Sequence, residues 1–189
     1  MQSLFIEKKM TYDGQQLKSL HAYLTYGVLG NSIISWVGPC NISFEHMVDG
    51  EDLIAGAKIE GAEMLHFIIE IFDRDLFSGV ALQRLFTSMI RDYLQVAAAG
   101  ALGSEALERD GDDIFWDTRK LNISIAAKSP VSTMIHWAVN CTNRGTPVAT
   151  CSLEDLKLQP AKFATEVMVL FKREFEQIVK ATQKVRPLS

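Results

Sequence analysis

Long apolar runs are missing from this sequence. Nowhere do the roughly 18 to 20 consecutive apolar residues of a membrane helix occur, so no membrane span is expected. Only a few apolar positions precede Glu7-Lys8-Lys9, too few for a signal-peptide core, and a cytoplasmic location is expected. Cysteine is scarce: Cys40, Cys141 and Cys151 show no metal-ligand spacing and leave one thiol over after any pairing, which fits a reducing compartment. Basic charge is also short. Nineteen lysines and arginines face 23 acidic residues, the formal net charge is −4, and the cations are scattered, so nucleic acid is not an expected partner. Arginine is absent from residues 38–61, where Lys58 is the only cation beside carboxylates that include Glu45, Asp49, Glu51 and Asp52.

What is present is enough apolar material for a core. The chain has 189 residues, 48% of them hydrophobic, without a composition shift that would divide it, so residues 1–189 are expected to form one domain. A strand is expected over 3–9, a helix over 15–26, and a strand over 32–37 that Gly38-Pro39-Cys40 breaks. Residues 63–72 alternate as a strand, with Met64, His66, Ile68 and Glu70 on one side. Two readings of His66 stand: a proton carrier near neutral pH, or a core histidine satisfied by Glu70 or by backbone. An amphipathic helix is expected after Gly79, a linker over 97–110, a further strand over 148–151, and a last helix introduced by Pro160.

Residues 40–61 are the least regular. His46, Asp49, Glu51 and Asp52 gather there, and hard oxygen ligands of this kind suit magnesium. Their spacing matches no metal loop, so the stretch reads as a solvated acidic loop and no metal ligand is assigned. Cys40 is a buried structural thiol or, given a base or a positive neighbour, a nucleophile, with His46 and His66 the nearest candidates in sequence.

The most informative stretch is 111–141. It reads as three short strands around one lysine: Ile114-Phe115-Trp116, a polar Asp117-Thr118-Arg119 turn, and Lys120 at the start of the second strand. Lys120, Asn122 and Ser124 alternate with Leu121, Ile123 and Ile125 and so share a side. Residues 134–141 are apolar on both faces apart from His136 and, near the end, Asn140. Lys120 is either a solvated residue at a hairpin or a grip for an anion.

The whole chain resembles an uncharacterised bacterial and archaeal family, the domain of unknown function numbered three-six-six. The resemblance lies in Tyr12-Asp13-Gly14, Gly38-Pro39-Cys40, Met47-Val48-Asp49, Met64-Leu65-His66-Phe67, Gly111-Asp112-Asp113, the 120–125 strand and Lys184-Val185-Arg186-Pro187. More distantly, residues 112–140 look like the catalytic core of biotin protein ligases and lipoate ligases. Asp113-Ile114-Phe115, Arg119-Lys120-Leu121-Asn122-Ile123 and Ala138-Val139-Asn140 fall in the order and similar spacing of that core's strands. This distant resemblance implies an α+β (α/β) domain with a mainly antiparallel sheet and packing helices, of the class II synthetase and biotin/lipoate ligase kind.

It also implies that Lys120 contacts an acyl group and phosphate. The substrate would be a small carboxylate or acyl group such as a lipoyl, octanoyl or biotinyl moiety, and the partner an acyl-carrier or a lipoyl or biotinyl domain. The glycine-arginine phosphate loop of the biotin ligases has no counterpart in 40–61, which argues against ATP-dependent adenylation. Lys120, Cys40 and His66 are therefore the candidate catalytic residues. Asp113, Asn122, Ser124, His136, Asn140 and Asp49 are the candidate ligand-binding ones. Lys120, His66 and either Cys40 or the Asp49 loop are expected to line one concave site. Acyl transfer from an activated donor, a non-catalytic ligand- or protein-binding module, and an enzyme of unrelated chemistry remain the competing functions, with cofactor and oligomeric state unspecified.

Overall fold

A computed structural model describes residues 1–188, and its elements follow the two hydrophobic periods of the sequence. β1 (Gln2–Ile6) opens the chain. The helix expected over 15–26 is confined to α1 (His21–Tyr26). Leu20 sits at φ 62° with its N–H donating to the Glu70 carboxylate at 2.8 Å, a left-handed turn through which no right-handed helix continues. β2 (Ser32–Asn41) does not stop at Val37 but runs through Gly38-Pro39-Cys40 on a register shift. A bulge leaves one N–H unpaired, which is where a strand tolerates proline. Gly38 is required there, because a Cβ would stand 1.8 Å from the Met10 carbonyl oxygen.

Residues 41–61 are more ordered than a solvated loop. They contain a 3₁₀ turn at Phe44–His46 and α2 (Gly50–Ala55), whose first turn is capped by Asp49 accepting from the N–H groups of Glu51 at 2.8 Å and Asp52 at 3.2 Å. β3 (Glu60–Phe72) follows. α3 (Leu76–Ala97) begins ahead of Gly79 because Asp75 caps it through the Ser78 N–H at 2.8 Å. The expected linker over 97–110 is instead α4 (Ala99–Leu102) and β4 (Leu107–Asp110), the latter paired to β5 (Asp113–Trp116).

Lys120 does not begin the strand that lies beside the 134–141 stretch. It ends β6 (Arg119–Lys120), and that strand, β7 (Asn122–Lys128), starts two residues later and pairs with β8 (Ser132–Asn140). The strand expected over 148–151 is a single bridge between Thr150 and Lys120. α5 (Pro160–Gln183) closes the chain with proline in its first turn.

Five strands form one sheet in the order β1-β2-β3-β8-β7, parallel only between β1 and β2, and β4-β5-β6 form a small second sheet. This is the mainly antiparallel α+β arrangement expected. Leu65, Phe67, Ile69 and Ile71 of β3 face α3 and α5, where the Phe86 ring meets Phe67, Trp137 and Phe171 edge to face at 5.5, 5.6 and 4.8 Å. The buried Trp137 indole N–H is satisfied by Thr87 at 3.0 Å. The opposite face carries Met64 and Ile68 beside Trp36 and Ala138, covered by Tyr12 and Ala22 from the segment between β1 and β2. That coverage stops short of β7, and the site lies there.

Candidate functional site

Where the covering segment ends, a cavity of about 500 Å³ opens between the sheet and residues 41–61. Its apolar wall comes from Leu17, Ile42, Ile59, Met64, Ile123 and Ile125, and its polar end from Asp112, Asp113 and Lys120 at the junction of the two sheets. Apolar walls with a few convergent polar groups are the usual composition of a small-molecule site.

Lys120 is anchored through its backbone. Its N–H donates to the Ala149 carbonyl at 3.1 Å, and its own carbonyl accepts from the Cys151 N–H at 3.0 Å. The ammonium then meets the Asp113 carboxylate at 2.7 Å. Burial raises the Asp113 carboxyl above its usual range against the opposing pull of Lys120, and the carboxylates of Asp112 and Asp110 push it the same way as burial. The lysine is thus neither a freely solvated hairpin residue nor an unpaired anion grip.

Asn122 and Ser124 line the same cavity, yet their polar groups are engaged. Asn122 accepts from the Ile114 N–H at 2.7 Å and donates to the Asp112 carbonyl at 2.8 Å, clamping β5 to β7, and Ser124 accepts from Gln83 at 2.8 Å. Asn140, also in the lining, donates to the carbonyls of Lys120 and Cys151 and so fixes the lysine's backbone. Asp49 lines the opposite side as the cap of α2.

His66 and Cys40 stand outside the lining. His66 is fully buried; its Nε2 meets the Gly38 carbonyl and its Nδ1 meets Nε2 of His136, each at 3.1 Å. Glu70 takes no part, since it accepts instead from Ser132 at 2.6 Å and from the Leu20 amide. This geometry sets both tautomers. A carbonyl only accepts, so His66 carries its proton on Nε2; its Nδ1 then accepts from His136, whose own Nδ1 is left as a lone pair. Burial holds His66 down at about 4 and His136 well below the usual 6.5, so both are neutral at pH 7. The Cys40 thiol is buried and pushed up to about 12, and among the described residues its one hydrogen-bond partner is the Ile59 carbonyl at 4.0 Å, so it has neither a base nor a positive partner there.

His136 does reach the cavity, stacked on Tyr12 with ring centroids 3.6 Å apart and planes 11° from parallel. In the sequence Tyr12 stands out only within the Tyr12-Asp13-Gly14 stretch of the family resemblance, and its place in the lining is the main feature that sequence reasoning missed. No local pattern marks it, because it arrives through a bridge to Cys40 across 28 residues of chain. Among the described residues no three of His, Cys, Asp or Glu converge closely enough to hold a metal ion. No arginine lines the cavity, and six carboxylates do against two lysines, so the residues present do not fit a nucleotide triphosphate.

The model of a family described as "Domain of unknown function (DUF366)" matches residues 1–186. A solved "Protein of Unknown Function from Pyrococcus horikoshi" is 35% identical, with a TM-score of 0.93 and all of both chains covered. Biotin protein ligase from Aquifex aeolicus, in complex with biotin and ATP, superposes at a TM-score of 0.58 and 10% identity over 92% of this chain and 70% of that one. A T. acidophilum protein assigned as a lipoate protein ligase, with bound lipoic acid, superposes at 0.52 and 12% identity over 92% and 84%. At these identities the ligases share the fold alone. No helix among the described residues is long and apolar enough to cross a membrane.

Proposed function

The chain belongs to the family of the DUF366 domain, and because that description carries no activity we propose a function from the site: transfer of a neutral acyl group from a thioester donor, such as an acyl carrier, to an amine, without ATP. The observation that carries this reading is the Lys120–Asp113 pair at the polar end of an apolar-walled cavity with no arginine. An ammonium already neutralised by a carboxylate holds a free carboxylate or a triphosphate poorly. It still has N–H donors for a carbonyl oxygen, and that hydrogen bond strengthens as the carbonyl takes on charge.

In the proposed reaction the apolar wall takes the acyl chain and Lys120 donates to the acyl oxygen. Nδ1 of His136 accepts from an N–H of the amine and orients it. The C–N bond forms as the C–S bond breaks, and the proton lost by the amine ends on the departing thiol. No oxidant, metal or nucleotide enters the balance. The ligase-like fold supports an acyl substrate without specifying which one. An octanoyl thioester incubated with the protein and an amine is expected to yield the octanoyl amide, with the rate reduced about 100-fold or more in Lys120→Ala. Amide formation at the uncatalysed rate would refute transfer.

A second reading, a binding module without catalysis, is favoured by the same 2.7 Å pair, since Asp113 and Lys120 also brace the junction of the two sheets. Saturable binding of the thioester without turnover is its expected signature.

A further inference from the structure

The wall facing Lys120 has the wrong sign for an anionic ligand. Lys120 is paired to Asp113, Lys58 reaches Glu60 at 4.0 Å, and Arg84 reaches Asp112 from outside the lining at 3.8 Å. Asp49, Glu51 and Asp52 have no ion-pair partner among the described residues, and all three line the cavity from the α2 side.

A second feature is independent of this charge. Tyr12 and His136 both line the cavity and are 2% and 1% exposed. Among the described residues nothing hydrogen-bonds to the Tyr12 hydroxyl or to Nδ1 of His136. That nitrogen carries a lone pair and no proton, so a bound group with N–H donors would satisfy it. Neither atom is sealed in the interior as an orphaned polar group, so both are open to the cavity and a bound group can take the place of water there. The carboxylates, moreover, do not converge as metal ligands would. They belong to the cap and first turn of α2 and so offer one anionic locus, while Tyr12 and His136 offer a second polar locus on other elements, which suits an elongated cation with separated charges.

We infer that the amine bound in this cavity is a small linear alkylamine carrying at least two ammonium groups, one held by the Asp49, Glu51 and Asp52 wall and the other directed at Tyr12 and His136. This rests on the acyl-transfer reading for its chemistry: the inner amino group, once it has lost its extra proton to solvent, is the nucleophile that forms the amide bond as the C–S bond breaks and its second proton passes to the departing thiol. Its binding stands apart from that reading, since the cavity recognises the cation whether or not an acyl donor is present.

The test is calorimetric titration of the protein with 1,4-diaminobutane, butylamine, a lysine-containing peptide and octanoate, without any thioester. Diaminobutane is expected to bind saturably, about tenfold or more tighter than butylamine, and to weaken as salt is raised. In the Glu51→Gln/Asp52→Asn variant, whose altered side chains make no hydrogen bond in the fold, the affinity is expected to fall about tenfold with the circular dichroism unchanged. Absence of saturable diamine binding, equal affinity for butylamine, or an unchanged variant would overturn the inference. Tighter binding of the lysine peptide would also overturn it, pointing to a protein side chain as the amine. Diamine binding without amide formation from octanoyl thioester would refute acyl transfer alone; amide formation with butylamine as efficient as with the diamine would refute this inference alone.

Discussion

Replacing His66 by glutamine is expected to remove a large part of the protein's sensitivity to mild acid. In the unfolded chain an imidazole takes up its proton near the usual 6.5, whereas burial holds His66 down at about 4 in the fold. Between those values the unfolded state binds the extra proton and the folded state does not. Stability is therefore fully present above pH 6.5 and is lost as pH falls toward 4. At about 1.4 kcal/mol per pH unit of separation, His66 accounts for a loss of about 3 kcal/mol across that window. His136, held below 6.5 chiefly by burial and further by His66, adds in the same direction.

Urea unfolding at closely spaced pH values measures this directly. The His66→Gln variant keeps a side-chain N–H for the Gly38 carbonyl and is expected to be less stable at pH 7 but to lose about 3 kcal/mol less between pH 6.5 and 4 than the parent. Parallel curves for the two proteins would refute the burial of a neutral His66. So would imidazole nitrogen shifts showing His66 protonated at pH 5.5 in the folded state.

Two further outcomes follow from the packing. Phe86→Ala is expected to destabilise the fold by about 3–5 kcal/mol in chemical denaturation, because a ring with no exposed surface meets three aromatic partners that cannot all collapse into the space; a cost below about 1 kcal/mol would contradict that packing. Gly38→Ala is expected to lower the melting temperature and to disturb Tyr12, since the added Cβ meets the Met10 carbonyl at 1.8 Å; an unchanged melting temperature would show that this crossing is looser than described.

Much of the frame was legible where a single periodicity ran uninterrupted. The alternation of β3 and the apolar stripes of α3 and α5 depend on burial of one face, and the strand-turn-lysine order of 113–125 survives as β5, β6 and β7. The misplaced boundaries share a cause in contacts distant in sequence. α1 is cut short because Glu70, fifty residues on, takes the Leu20 amide. β2 passes through Pro39 because Tyr12 supplies the bridge at the bulge. β4 forms from a glycine-broken, charged stretch because β5 pairs with it.

The site divides the same way. Asp113 and Lys120 were both visible in the 111–141 stretch, while their 2.7 Å pairing, which changes what the lysine can hold, was not. His66 was seen to need a partner, and the Gly38 carbonyl is the backbone partner that reading allowed; the second partner, His136, lies seventy residues away, and no local spacing signals it. The acidity of 40–61 was plain from composition; that it faces a cavity floored by Tyr12 and His136 comes only from the fold.

The most direct test of the proposed activity is a paired reaction with one amine acceptor: octanoyl thioester without ATP against free octanoate with ATP and magnesium, following amide by mass spectrometry and pyrophosphate by exchange. Amide is expected from the thioester alone, reduced about 100-fold or more in Lys120→Ala, with no carboxylate-dependent pyrophosphate exchange. Amide formed only from free octanoate with ATP, accompanied by pyrophosphate exchange that Lys120→Ala abolishes, would contradict the proposed activity and show that the protein adenylates its substrate despite the acidic wall.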